Sequence, residues 1–129
     1  VKFLSVDFGE KRIGLATSDA SGSIATPRRT VRRASDEQAA AEIARFAREE
    51  EVDRLVVGLP HHADGNENEL APRVRAFSRK LERATGLPLD FINEHLTSEE
   101  GRRRGGSRAG PDAAAAAVIL EDFLSARAK

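Results

Sequence analysis

The sequence predicts an α/β domain built on one mixed β-sheet with helices on its faces. Three observations lead there. The first thirty or so residues hold short extended runs separated by turns, which reads as an antiparallel meander. The remainder alternates helical patterns with short apolar runs, the mark of βα units. A length of 129 residues suits one domain, residues 1–129, that buries roughly two-thirds of its unfolded surface without staples.

The elements follow in order. Phe3-Leu4-Ser5-Val6 reads as a buried strand, and Asp7 stands where it ends. Phe8, Gly9 and the charged turn Glu10-Lys11-Arg12 lead to a returning strand, Ile13-Gly14-Leu15-Ala16. A third extended segment runs from about Ile24 to Val31, and Pro27 marks it as short or at an edge. Ser35 with Gln38 three residues on has capping-box spacing. The helix after it carries Ala39, Ile43, Phe46 and Ala47 on one face. Leu55-Val56-Val57-Gly58-Leu59 reads as a strand buried on both faces, ended by Pro60. His61 to Asn68 is a polar, turn-like segment, expected to be a solvated loop. Leu70, Val74, Phe77, Leu81 and Ala84 then predict a second helix, with Gly86 as its C-terminal cap and Pro88 blocking continuation. Leu89 to Ile92 forms a last strand, and Thr97 caps a helix starting at Ser98. A basic, glycine-rich loop holds Arg102, Arg103, Arg104 and Arg108. Pro111 and Asp112 open a final alanine-rich helix.

Composition narrows the function. The 21 basic and 21 acidic residues balance, which argues against indiscriminate coating by nucleic acid. Arginines nonetheless cluster, at Arg28, Arg29, Arg32 and Arg33 and again at Arg102–Arg108. With no cysteine, disulfides and thiolate metal sites are excluded. No apolar run is long enough for a membrane span and no signal-peptide pattern opens the chain, so a cytoplasmic protein without membrane association is expected.

Three acids fall at the ends of elements: Asp7 at the end of the first strand, Glu94 after the last, and Asp112 at the start of the final helix. With the first and last strands near the centre of the sheet, all three would converge. Clustered carboxylates repel one another unless a cation lies between them. Oxygen ligands suit Mg²⁺ or Mn²⁺. Two such ions ~4 Å apart activate a water and stabilise the leaving oxygen of a phosphodiester.

Four blocks carry a family resemblance. VDFGEKRIGLATSD, VVGLP with a following ADG turn, NEHLTSEE and PDAAAAAVILEDFL together resemble the YqgF/RuvX family, in that family's order and across nearly the whole chain. The resemblance implies an RNase H-like fold with a mixed five-stranded sheet, its first three strands antiparallel. It implies that Asp7, Glu94 and Asp112 bind two Mg²⁺ or Mn²⁺ ions and are catalytic. It makes Lys11, Arg12, His95 and Thr97 candidates for nucleic-acid contact, and Arg102, Arg103, Arg104 and Arg108 fit a flexible clamp on a backbone. The family's Asp-Glu-Arg triplet reads Asn93-Glu94-His95 here.

The expected activity is metal-dependent phosphodiester hydrolysis. The resemblance implies two substrates: precursor 16S rRNA trimmed at its 5′ end, and branched DNA of the Holliday type. A small neutral domain favours the RNA. A homodimer with two matched sites would favour the junction. Two other classes compete. A non-catalytic nucleic-acid or ribosome-assembly module would draw on the changes at Asn93 and His95. An actin-like nucleotide-binding domain is disfavoured, because such proteins enclose ATP between two domains of this type.

Overall fold

The computed structural model describes residues 1–62, 64–94 and 110–127. Five strands form one sheet: β1 (Phe3–Asp7), β2 (Arg12–Ser18), β3 (Ala25–Arg32), β4 (Arg54–Pro60) and β5 (Leu89–Glu94). Helix α1 (Asp36–Glu49) lies between β3 and β4, α2 (Ala71–Thr85) between β4 and β5, and α3 (Pro111–Arg127) closes the described chain. The sheet order is β3-β2-β1-β4-β5, with β1–β2 and β2–β3 antiparallel and β1–β4 and β4–β5 parallel. The mixed α/β sheet and its antiparallel start are as the sequence predicts. One placement differs. β1 is central, but β5 lies at an edge, beyond β4.

Boundaries shift at most of the strands, and two of the shifts bear on the site's edges. β3 begins at Ala25 and leaves Ile24 exposed; Pro27 sits on this edge strand opposite Ala16, beside a bulge at Leu15/Ala16. β5 extends two residues past Ile92, because Asn93 and Glu94 pair with Leu59 and Pro60 and the His61 N–H donates to the Glu94 carbonyl at 2.7 Å. Glu94 therefore ends a strand instead of following one.

Side-chain alternation gives the sheet two apolar faces. Leu4, Val6, Ile13, Leu15, Leu55, Val57 and Leu59 pack under α1 and α2. Phe3, Ala16 and Val56 pack under α3 with Ala116, Ala117, Ile119 and Leu120. α1 starts with the expected capping box, Ser35 accepting from the Gln38 N–H and the Gln38 side chain returning to the cap. Gly86 ends α2 in the left-handed region, its N–H donating to the Glu82 carbonyl. Residues Ala113 through Leu120 of α3 are all buried, and the small alanines let the helix lie close to the sheet. The Ser5 hydroxyl fastens it by donating to the Ala116 carbonyl at 2.6 Å.

A charged hub joins α1, α2 and the first hairpin. The buried Asp36 carboxylate accepts from Arg33 at 2.7 Å, Arg73 at 3.0 Å and Lys80 at 3.3 Å. Arg33 also donates to the Glu10 carbonyl, and Arg33 and Arg73 both lie over the Phe8 ring. Hydrogen bonds from Arg73 and then from Arg33 and Lys80 hold the Asp36 carboxyl far below its ordinary value of 3.8. A depressed folded value contributes stability above the unfolded value and loses it as pH falls through the folded one. Unfolding free energy should therefore decline below about pH 4. Asp36→Asn should cost about 1.5–3 kcal/mol at neutral pH and flatten that acid decline, as read by urea unfolding between pH 2 and 7.

Candidate active site at the carboxyl end of the central strands

Asp7 is the reference point of the candidate site, and the two glycines flanking it let Asp112 and Glu94 approach the same face of the sheet. Ser5 points to α3, so Asp7, two residues on, lies on the same face. Across the antiparallel ladder its partner is Gly14. A Cβ on Gly14 would stand 1.8 Å from the Asp112 carbonyl oxygen and 2.9 Å from the Ala113 nitrogen. The first turn of α3 thus rests directly on the β2 backbone beside Asp7. On the other flank, Val6 pairs with Val57, which brings Gly58 level with Asp7. A Cβ on Gly58 would stand 2.7 Å from Ile119 Cδ1 and 3.3 Å from Glu94 Cγ. From the edge strand, Glu94 reaches inward by lying over this glycine, and it is 6% exposed.

Asp7, Glu94 and Asp112 therefore gather on the α3 face at one end of the sheet. As placed, no group of three or more His, Cys, Asp or Glu side chains among the described residues could hold a metal ion. The Asp112 Oδ2 accepts from Arg12 Nε at 3.2 Å, and the Arg12 side chain is 62% exposed. The sequence reading assigned Arg12 to phosphate and missed this pairing. Lys11 is exposed in the turn before β2. His95, Thr97, Arg102, Arg103, Arg104 and Arg108 lie outside the described residues, as does the helix expected from Ser98.

One reading near the site is corrected. His61 is buried, not solvated: its chain continues β4 through a bridge to Glu67, and its Nδ1 lies 2.7 Å from the Leu59 carbonyl. His62 is the outer member, 3.5 Å from Glu69. Asn93 is exposed and alternates to the face opposite Glu94. An acid at that position would point away from the Asp7 face, so its replacement leaves the three acids intact.

Sequence reasoning overlooked Gly14 and Gly58 as determinants of the site. Their signal was present: a glycine inside an apolar strand marks a close approach of another chain segment.

A family model described as RuvX, Holliday junction resolvase, matches residues 1–126. The chain belongs to the RuvX family. RuvX relatives named "Putative pre-16S rRNA nuclease" include one from Anaeromyxobacter sp. (strain Fw109-5), 42% identical, with 98% of each chain covered. Another, from Dechloromonas aromatica (strain RCB), is 38% identical over 94% of this chain and 88% of the relative. Among solved structures, Thermus thermophilus RuvC superposes with a TM-score of 0.63 at 14% identity, covering 99% of this chain and 96% of that one. The Fowlpox virus resolvase solved with Holliday junction DNA gives 0.62 at 11% identity, with both chains fully covered. The RuvX chain therefore shares the fold of RuvC-like resolvases.

The two glycines should respond differently to one added methyl group. In Gly14→Ala the obstacle is helix backbone, so α3 must lift, at about 3 kcal/mol or more. In Gly58→Ala the nearest atom is the tip of Ile119, which can rotate, so about 1–3 kcal/mol is expected. Denaturant unfolding of both variants checks the order.

Proposed function

We propose that this chain is a divalent-metal-dependent nuclease that matures the 5′ end of precursor 16S rRNA. The observation that carries the reading is the gathering of Asp7, Glu94 and Asp112 on one face, above two glycines whose missing side chains make room for them. The names of the RuvX relatives supply the substrate. Hard carboxylate oxygens suit Mg²⁺ or Mn²⁺, and the three acids come from three separate elements on one face of the sheet. Asp7, Glu94 and Asp112 would hold the ions.

Such ions, when bound, supply charge stabilisation and an activated water. The protein's own residues supply position. Asp7 is fixed by the central strand, Asp112 by the seating of α3 on Gly14, and Glu94 by its burial over Gly58. Arg12 neutralises Asp112 in the free protein. Its guanidinium is exposed enough to exchange that carboxylate for a substrate phosphate. Lys11 extends the same rim. Asn93 lies on the face opposite Glu94, which is compatible with the nuclease reading.

Branched DNA is the second reading, favoured by the family's description as a Holliday junction resolvase. A homodimer would present the two matched sites that paired cuts require. Purified protein with Mn²⁺ or Mg²⁺, tested on a precursor-rRNA fragment, single-stranded RNA and DNA, and a four-way junction, separates the readings. Cleavage of the rRNA precursor that Asp7→Asn lowers by at least 10³-fold is expected, the scale of losing a principal electrostatic stabiliser. Equal cutting by wild type and Asp7→Asn would remove the site assignment. Cutting of the junction alone would give the function to DNA, and binding without cutting would leave a binding module.

A further inference from the structure

β2 and β3 set two arginines opposite each other beside the acids. Arg12 and Arg32 are Cα partners across the antiparallel ladder. Their side chains therefore leave on the same face, with Cβ atoms about 4.5–5.5 Å apart. That face is the α3 face, because Arg12 reaches Asp112 and Gly14, two residues along β2, lies under the Asp112 backbone. Like charges directly opposite are destabilising. Asp112 relieves Arg12. Arg32 is exposed and has no ion pair or side-chain hydrogen bond among the described residues.

The other arginines of this cluster are committed elsewhere. Arg28 bonds Glu50 and lies over Phe46, Arg29 lies over Phe46, and Arg33 serves Asp36. Arg32 is the member that shares a face with the acids. A sheet that keeps two guanidinium groups opposed at the rim of an acidic site, one of them without an anion, suits a ligand that brings the anion.

We propose that Arg12 and Arg32 form a two-arginine seat for the nucleic-acid backbone, in which Arg32 holds a phosphate neighbouring the one cut at the carboxylates. The inference rests on the nuclease reading and adds a residue and a strand path to it. The substrate backbone runs from the acids across the open end of β2 and β3. Two planar guanidinium forks match the oxygens of a phosphodiester. The bound anion also removes the repulsion between them.

The test measures binding in an Asp7→Asn background, where cutting is silenced, by anisotropy titration of a precursor-rRNA fragment across a salt series. Adding Arg32→Gln should weaken binding roughly tenfold at low salt, the scale of one charged hydrogen bond. It should reduce the salt slope by about 0.7, the value for one phosphate contact on a single strand. Arg32→Lys should restore the slope but only part of the affinity. In the active protein, Arg32→Gln should raise KM with kcat unchanged, and it should raise the melting temperature by relieving the opposed charges. An unchanged slope and KM in a protein that binds and cuts would overturn the seat. Weakened binding accompanied by a lowered melting temperature would show Arg32 to be structural and overturn it equally. If the Asp7→Asn protein does not bind and wild type does not cut, the nuclease reading falls first and the seat with it.

Discussion

The seating of α3 on the backbone of Gly14 is the contact on which the candidate site depends. Nothing larger than hydrogen fits between that strand and the Asp112 carbonyl. The alanine run from Ala113 continues the close approach, and the Ser5 hydroxyl secures it one turn further on. A helix held at normal side-chain distance would carry Asp112 away from the sheet. The price of the arrangement is a helix with little large apolar surface in its first half, offset by Ile119, Leu120 and Phe123 in its second. Gly58 repeats the device on the other flank, where the side chain admitted is Glu94.

Charge is managed differently on the two faces. Under α1 and α2, Asp36 collects Arg33, Arg73 and Lys80, and two of those cations also cover Phe8, the residue after Asp7. This is a closed network that fixes the entry to the first turn. On the α3 face two positions differ from that network. Asp112 has one exposed arginine, and the opposed arginine of β3 has no acid among the described residues. A face with exchangeable partners suits ligands that come and go, whereas the Asp36 hub suits a scaffold.

Much of this was legible in the sequence, for identifiable reasons. Periodicity placed α1 and α2, the Ser35 capping box and Gly86 set their ends, and Pro27 marked the edge strand. The three acids stood out because each interrupts or bounds an apolar element. What the sequence did not disclose was lateral order. Local pattern shows that Leu89 begins a strand, but its neighbour is decided by how the βα unit packs across the sheet, so β5 was expected near the centre and lies at the edge. The same holds for His61: a polar segment reads as solvated, while the bridge to Glu67 that buries it is a tertiary pairing. Arg12 and Asp112 lie a hundred residues apart in sequence, and no spacing rule connects them.

The central claim is that Asp7, Glu94 and Asp112 are arranged to share divalent cations. Direct titration of the free protein with Mn²⁺, followed by the loss of the free-ion electron paramagnetic resonance signal, tests this without nucleic acid or turnover. The account predicts saturable binding by wild type that Asp7→Asn abolishes or weakens by about 10–100-fold or more. Mn²⁺ binding of equal affinity in wild type and Asp7→Asn, or none in wild type, would contradict it.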